Sequence, residues 1–128
     1  MKKEYSVLVF EDQSFLAELL EGILEHELRD YPLSVHTVSN LAALNKQLSA
    51  QEHDVLLTDI LDWKEEDYRS LGAVRKAFPS LKIVLAGDRR TAPDDIAEDP
   101  NTVIALRVST HISKAVLEML LGTANEHS

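Results

Sequence analysis

Four short apolar runs alternate with longer amphipathic segments along the chain, and this pattern predicts the fold class. The runs cover residues 7–10, 55–57, 83–86 and 103–106. Because they are short, rich in branched apolar side chains and free of polar interruptions, they are typical of strands buried on both faces of a parallel sheet. A weaker run at 34–38 alternates apolar and polar residues, which is typical of an edge strand.

Between these runs, apolar residues recur at helical spacing in four segments. The helix N-caps that we expect are Ser39 or Asn40 for the second segment and Ser109 or Thr110 for the last. The four segments span residues 15–28, 41–48, 68–78 and 112–120.

A further helix between the last two strands is expected to be short or irregular, because in the stretch 91–98 Ile96 and Ala97 alone offer an apolar face. Five βα units therefore follow one another. This alternation predicts an α/β protein, a doubly wound (βα)5 sandwich around a five-stranded parallel sheet. We expect one domain over residues 1–122. The small polar tail at 123–128 is expected to be either a frayed terminus or the start of a linker to an output domain.

The composition of the 128-residue chain excludes several classes of protein. With 45% hydrophobic residues the chain can form a packed core, and with no cysteine it has neither disulfides nor thiolate metal sites. The net charge of −9 and the lack of a basic stripe argue against direct binding of nucleic acid. No apolar run approaches the ~20 residues of a membrane span. We therefore expect a cytoplasmic protein without a membrane partner.

Three carboxylates lie where predicted strands end. Glu11 and Asp12 follow the first strand, and Asp59 follows the third. A single acid at a strand end often serves as a helix cap. Three acids that converge at the carboxyl edge of one sheet repel one another and are costly to desolvate. Such a set is favoured where a protein holds a cation or carries out acyl-phosphate chemistry.

With these acids in place, the chain resembles the receiver domain of bacterial two-component response regulators over essentially its whole length. Residues 7–16 are similar to the first strand, acidic pair and first helix start of that family, and residues 54–62 to its third strand and phosphoacceptor loop. The likeness is greatest to the subfamily with a LuxR-type DNA-binding output. The resemblance implies a CheY-like fold with strand order 2-1-3-4-5 and a role in phosphorelay signalling and transcription regulation.

The resemblance also implies roles for the acids. Asp59 is the expected phosphoacceptor, and Glu11, Asp12, Asp59 and the backbone carbonyl of Leu61 are expected to hold Mg²⁺, the one cofactor implied. We expect no enzyme activity beyond self-phosphorylation and autodephosphorylation. The implied partners are a sensor histidine kinase, a second copy of the chain in a homodimer, and an output domain or partner protein. DNA would be reached only through a separate output domain.

Three positions depart from the family pattern. The hydroxyl residue that ends strand four is Ala86, the aromatic residue of strand five is Ala105, and the lysine that ends strand five is Val108. A register shifted by one would put Arg107 on the lysine position. The family spacing and the phase of the last helix favour Val108, and strand alternation would send Arg107 to the other face. These departures predict an incomplete switch.

Other side chains near the acids have two interpretations each. Trp63 is either a contact residue at the rim of the site or a ring lying over its own helix. Lys64 or Arg89 either supplies the missing cation from a loop or is a solvated surface charge. The histidines show no metal-ligand spacing and are expected at the surface. They are His26, His36, His53, His111 and His127.

Three hypotheses for function follow. The first is a receiver domain with Asp59 as phosphoacceptor, and the second is a pseudo-receiver that acts as a phosphorylation-independent interaction or dimerisation module. The third is a small flavodoxin-like enzyme or carrier, since this topology supports many functions. A flavin carrier is disfavoured because Glu11 and Asp12 would repel a phosphate where that class needs a phosphate-binding loop.

Overall fold

A computed structural model describes residues 4–122 and shows the predicted α/β architecture. Five parallel strands form one sheet in the order β2-β1-β3-β4-β5, so the predicted fold and strand order are confirmed. The strands are β1 (Tyr5–Phe10), β2 (Leu33–Val38), β3 (Val55–Asp59), β4 (Lys82–Ala86) and β5 (Thr102–Ala105). The helices are α1 (Ser14–Glu27), α2 (Leu41–Ala50), α3 (Glu65–Ala77), α4 (Asp94–Ala97) and α5 (Ser109–Leu121).

The sheet is buried on both faces, as its unalternating apolar runs require. Successive residues of a strand point to opposite faces. Accordingly, Val7 and Val9 of β1 pack in one cluster with residues of α1 and α5. Leu8 packs in a second cluster with residues of α2 and α3 and with Ile96 of α4. This arrangement leaves the carboxyl ends of the strands as the edge where the predicted acids meet.

The ends of two helices test the capping predictions. Asn40 caps α2, because its side-chain oxygen accepts a 2.8 Å hydrogen bond from the backbone N–H of Ala43. The prediction that Ser109 or Thr110 caps α5 is wrong, since Val108 occupies that position and makes no side-chain cap bond. Strand β5 ends at Ala105, one residue earlier than the apolar run predicts, so residues 106–108 belong to the loop before α5.

The segment between β4 and β5 has the predicted irregular form. A 3₁₀ turn at Arg89–Thr91 precedes α4, which is a single helical turn of four residues. Arg75 of α3 holds the end of this segment: its Nε donates a 2.6 Å hydrogen bond to Asp99, and its Nη2 contacts Thr102 at 3.2 Å. This guanidinium therefore ties the short fourth helix and the start of β5 to α3.

One histidine differs from the prediction. His26, His36 and His111 are exposed as expected, whereas His53 is half-buried at the amino end of β3. Its Nδ1 lies 2.7 Å from the Ser6 hydroxyl. Burial, and next the neighbouring His36, hold the pKa of His53 below its usual value of 6.5. The surface prediction is wrong for this residue because it joins the hydrogen bonds between β1 and β3.

Two predictions concern the ends and the surroundings of the chain. The expected tail at 123–128, with His127, lies outside the described residues. Within residues 4–122, no helix is both long enough and apolar enough to cross a membrane.

Candidate functional site

The predicted acids lie together at the carboxyl edge of the sheet. Asp59 is the last residue of β3, and Glu11 follows β1, held by a 3.0 Å hydrogen bond from its N–H to the carbonyl of Val38. Glu11 and Asp59 are 7% and 5% exposed, whereas Asp12 is exposed. Two buried carboxyl groups and one exposed carboxyl group therefore share a single edge of the sheet.

Both oxygens of the Asp59 carboxylate accept hydrogen bonds. Oδ1 accepts from the backbone N–H of Leu61 at 2.7 Å, and Oδ2 accepts from Nε of Arg107 at 2.8 Å. The Arg107 side chain is 37% exposed, whereas that of Asp59 is 4% exposed. A half-exposed guanidinium thus covers a buried carboxylate and forms a charge-assisted hydrogen bond with it.

The position of Arg107 corrects the expectation that it points away from the acids. The alternation of side chains between the two faces of the sheet does not extend to residue 107, because β5 ends at Ala105. A 2.7 Å hydrogen bond from the N–H of Val108 to the carbonyl of Leu106 closes a tight turn with Arg107 at its centre. The turn directs the long side chain back over the sheet edge to Asp59. The signal in the sequence was a basic residue within two positions of the strand end.

Glu11 is the acid whose titration is most perturbed. Burial, together with the charges of Asp12 and Asp59 and a hydrogen bond to Asp12, raises the pKa of Glu11 to about 7 from its usual 4.5. A hydrogen bond from the N–H of Gln13 acts in the opposite direction but is outweighed. Near neutral pH, Glu11 is therefore only partly ionised, and a cation close to it would favour its charged form.

The donor chemistry at this edge fits Mg²⁺. Glu11, Asp12, Asp59 and the Leu61 carbonyl all offer oxygen, the ligand that Mg²⁺ prefers. Each Asp59 oxygen keeps a second lone pair beside its present hydrogen bond. Within residues 4–122, no three His, Asp or Glu side chains are already arranged to hold a metal ion. Arg107 already places one cation on Asp59, so a metal at the same acids would be repelled by its charge.

The three positions that depart from the family pattern lie at the end of β4, at the end of β5 and in the loop before α5. They are Ala86, Ala105 and Val108. The sheet register pairs Asp59 with Ala86, and Ala86 with Ala105, so methyl groups occupy the next two strands at the positions where the family pattern has a hydroxyl and an aromatic ring. Val108 is 48% exposed at the start of α5. The cation beside Asp59 comes from the preceding residue, Arg107.

Two cavities flank the acids. One, of about 340 Å³, is lined by Glu11, Asp12, Asn40 and Trp63 among others. The second, of about 310 Å³, lies on the Arg107 side and is lined by nine residues: Ile60, Leu61, Asp62, Trp63, Tyr68, Gly87, Asp88, Thr91 and Arg107. We call this second space the Arg107 cavity. Trp63 lines both cavities and is therefore placed to report on events in either.

The structure also shows where the other side chains predicted near the acids lie, those of Trp63, Lys64 and Arg89. The Trp63 ring packs edge-on against Tyr68 of α3, with centroids 5.1 Å apart, so it lies over its own helix while still lining the site. The N–H of Lys64 donates to Asp67 at the start of α3, at 2.8 Å. Arg89 is exposed in the 3₁₀ turn. Arg107 is the cation that the described structure places on Asp59.

Comparison with protein-family models and with curated proteins finds no match. Solved structures do match. The response regulator receiver domain protein of Clostridium thermocellum is 18% identical with a TM-score of 0.69, over 95% of this chain and 98% of that one. The receiver protein of Sinorhizobium medicae WSM419 is 22% identical with a TM-score of 0.67, over 93% and 96%. The signal receiver domain of an HD domain-containing protein of Pseudomonas fluorescens Pf-5 is 15% identical with a TM-score of 0.70, over 99% and 94%. The chain therefore has the fold of response-regulator receiver domains.

Proposed function

We propose that this chain is a receiver domain of two-component signal transduction and that Asp59 is its phosphoacceptor. The observation that carries the proposal is the buried Asp59 at the end of β3, beside Glu11 on one side and paired with Arg107 on the other. A buried carboxylate among other acids, paired with one partly exposed arginine, is a candidate nucleophile for a phosphoryl group when a second cation is present. The receiver fold of the solved structures supports the same function by analogy.

In the proposed reaction, an oxygen of Asp59 attacks the phosphorus atom of a phosphodonor. The donor is a phosphohistidine of a sensor kinase or a small acyl phosphate. One O–P bond forms at Asp59, and the donor's P–N or P–O bond breaks, with its electron pair going to the imidazole or carboxylate that leaves. On this proposal the chemistry of the domain is limited to self-phosphorylation and autodephosphorylation.

The residues around Asp59 have separate roles in this reaction. Glu11, Asp12, Asp59 and the Leu61 carbonyl would hold Mg²⁺, which when bound would offset the charge of the transferred phosphoryl oxygens. Arg107 moves from the Asp59 carboxylate to those oxygens, which its planar fork of N–H donors suits. The Leu61 N–H, at 2.7 Å from Oδ1, orients the carboxylate for attack.

Intact mass after incubation with Mg²⁺ and acetyl phosphate tests the proposal. We expect a phosphate-sized gain in mass that is absent when Asp59→Asn is treated in the same way. Asp54→Asn is the matched control, because Asp54 is the other aspartate beside β3, bonded to the Ser6 N–H at the opposite edge. A gain in the Asp59→Asn protein, or none in the wild type, would contradict the assignment of Asp59.

A pseudo-receiver is the second candidate, and two observations favour it. Ala86 and Ala105 leave no hydroxyl and no ring beside Asp59 to respond to a phosphoryl group. Arg107 also neutralises Asp59 without any ligand. Since a ligand shifts a two-state equilibrium only through contacts that differ between the states, phosphorylation would then change the shape little. Beryllofluoride binding without chemical-shift changes beyond the acids would favour this candidate.

The partners follow from either candidate. We propose a sensor histidine kinase as phosphodonor, a homodimer, and an output domain or partner protein that is regulated through contacts, with transcription regulation through a LuxR-type output as the specific form. Light scattering at high concentration, with and without beryllofluoride, tests the dimer. A monomer under both conditions would overturn that part of the proposal and leave the phosphoacceptor assignment standing.

A further inference from the structure

We propose that the Arg107 cavity is a binding site for a small aromatic carboxylate, and that such a ligand draws Arg107 away from Asp59. This inference goes beyond the proposed function and does not depend on phosphorylation. It rests on the lining of the cavity, the unused donors of Arg107 and the link between that guanidinium and Asp59.

The unused donors of Arg107 define the charged end of the ligand. Nε is bound to Asp59, whereas Nη1 and Nη2 have no hydrogen-bond partner among residues 4–122. The side chain is 37% exposed and lines the cavity. Two free nitrogens at the tip of a planar guanidinium match the two oxygens of a carboxylate.

The lining of the cavity defines the body of the ligand. Ile60, Trp63 and Tyr68 present apolar and aromatic surface, and the ring edges of Trp63 and Tyr68 favour contact with another ring. The volume of about 310 Å³ lies at the low end of the range for ligand cavities, ~300–1,000 Å³. A ligand with one ring is small enough for this space.

The lining of the cavity carries two carboxylates besides Arg107, those of Asp62 and Asp88. Arg90 pairs with the Asp88 carboxylate at 2.7 Å and offsets its charge. Asp62 is therefore the acid of the lining that opposes an anion, and the anion must bind on the Arg107 side. At Gly87, Ile60 packs so closely that a Cβ there would lie 2.3 Å from Ile60 Cγ1, so this wall of the cavity is formed by Ile60 and backbone.

Binding at this site and the state of Asp59 are linked. A carboxylate on Nη1 and Nη2 offsets the charge that holds Arg107 on Asp59, and Asp59 in turn competes with the ligand for Arg107. Because the ligand and Asp59 oppose each other at the same guanidinium, removal of the Asp59 charge is expected to strengthen ligand binding.

A ¹H–¹⁵N NMR titration of the full chain with benzoate, without metal or phosphodonor, tests the proposal. We expect saturable shifts of the Gly87 and Thr91 amides and the Trp63 indole. Benzamide, which is uncharged, and acetate, which lacks the ring, are each expected to bind at least tenfold more weakly. Arg107→Ala is expected to weaken benzoate binding at least tenfold.

A second variant separates a bound ligand from a damaged fold. Asp59→Asn is expected to tighten benzoate binding about fivefold, because Arg107 is released, and this is an effect in the opposite direction. Arg69→Ala, which removes an exposed arginine paired with Glu65, is expected to leave the affinity unchanged. Shifts that do not saturate, equal binding of benzamide, or undiminished binding to Arg107→Ala would overturn the proposal. Because no phosphodonor is present, failure of phosphorylation at Asp59 would not affect this result.

Discussion

Arg107 donates a 2.8 Å hydrogen bond from Nε to Oδ2 of Asp59, and the pair joins the loop after β5 to the end of β3. One positive charge thereby lies against an edge that carries Glu11, Asp12 and Asp59. Because the Asp59 side chain is 4% exposed, this charge is poorly screened by solvent. The ion pair therefore influences how strongly the acids attract a second cation.

Replacement of Arg107 by alanine is expected to tighten Mg²⁺ binding about tenfold, or about 1.4 kcal/mol. The acids then lose the cation that balances part of their charge. The free energy of unfolding without metal is expected to fall by about 1 kcal/mol, since the arginine is partly exposed. Fluorescence of Trp63, the one tryptophan of the chain, follows the metal titration, and urea unfolding gives the stability.

Two variants control the Arg107 experiment. Arg107→Lys keeps the charge and is expected to bind Mg²⁺ with nearly wild-type affinity. Arg69→Ala removes an arginine that pairs with Glu65 on the exposed face of α3, and is expected to change neither quantity. An unchanged Mg²⁺ affinity in Arg107→Ala would show that the ion pair does not compete with the metal.

The raised pKa of Glu11 predicts that metal affinity depends on pH. A proton competes with Mg²⁺ for this carboxylate, and the pKa of Glu11 is about 7. For a single competing group with that pKa, the affinity is expected to be about tenfold weaker at pH 6 than at pH 8. Trp63 fluorescence titrations at the two pH values measure the ratio. In Glu11→Gln, binding is expected to be weaker overall and nearly independent of pH in this range.

The same group predicts how stability without metal changes with pH. The pKa of Glu11 is raised from its usual 4.5 to about 7 in the folded protein, so the folded state binds the proton more tightly than the unfolded chain. The stabilisation is fully present below about pH 4.5 and is lost as the pH rises through about 7. Urea unfolding of the wild type and of Glu11→Gln should diverge over this window. Parallel pH profiles would contradict the assignment.

The sequence predicts the sheet well because unalternating apolar runs occur in strands covered on both faces. Val55, Leu56 and Leu57 are all fully buried in β3, which leaves a central parallel strand as the natural interpretation. The cap of α2 is predicted only to Ser39 or Asn40, since both short polar side chains favour that role, and the structure selects Asn40. These features depend on local chemistry and on the period of the pattern alone.

The contact between Arg107 and Asp59 cannot be predicted from the hydrophobic pattern of the sequence. Alternation holds only within a strand, and the end of β5 at Ala105 rather than Leu106 removes it before Arg107. A turn closed by Val108 and Leu106 then sets the direction of the side chain. Backbone geometry in a three-residue loop, and the reach of a long side chain, decide such a contact. Family spacing and strand alternation therefore favour Val108, whereas the structure brings Arg107 to Asp59.

Arg75 is expected to be a main source of stability around the short fourth helix. Its guanidinium contacts Asp99 and Thr102 and the carbonyls of Phe78, Pro79, Leu81 and Asn101. The Arg75 and Asp99 side chains are 20% and 16% exposed. Arg75→Ala is expected to lower the free energy of unfolding by about 3 kcal/mol, because it leaves Asp99 without its cation. Arg75→Lys is expected to lose nearly as much, since one ammonium cannot serve these acceptors together.

The Arg75 prediction has a pH signature. Burial alone would raise the pKa of Asp99, but hydrogen bonds from Thr102 and Asn101 and the charge of Arg75 outweigh it and hold the pKa below its usual 3.8. The resulting stabilisation is present above that value and is lost as the pH falls through the lower folded one. Acid unfolding of Arg75→Ala should therefore begin at a higher pH than that of the wild type. Arg69→Ala serves as the exposed control, with an expected loss of about 0.5 kcal/mol or less.

Gly87 is expected to be required by the packing of Ile60. The residue directly follows β4, and its N–H donates to the Ala105 carbonyl at 2.8 Å. A Cβ there would lie 2.3 Å from Cγ1 and 2.8 Å from Cδ1 of Ile60, a side chain that is 4% exposed. Gly87→Ala would therefore push a buried side chain out of its position.

Gly87→Ala is expected to lower the free energy of unfolding by about 2 kcal/mol, the usual cost of overpacking a core. Urea unfolding measures the loss. In the double variant with Ile60→Ala the atoms that clash are gone, so the combined loss should be smaller than the sum of the two single losses. Gly22→Ala is the matched control, because a Cβ at that exposed position in α1 meets no atom within 4 Å, and it should stabilise the protein by about 0.5–1 kcal/mol. Additive losses in the double variant would show that the cost at Gly87 arises from the backbone and not from contact with Ile60.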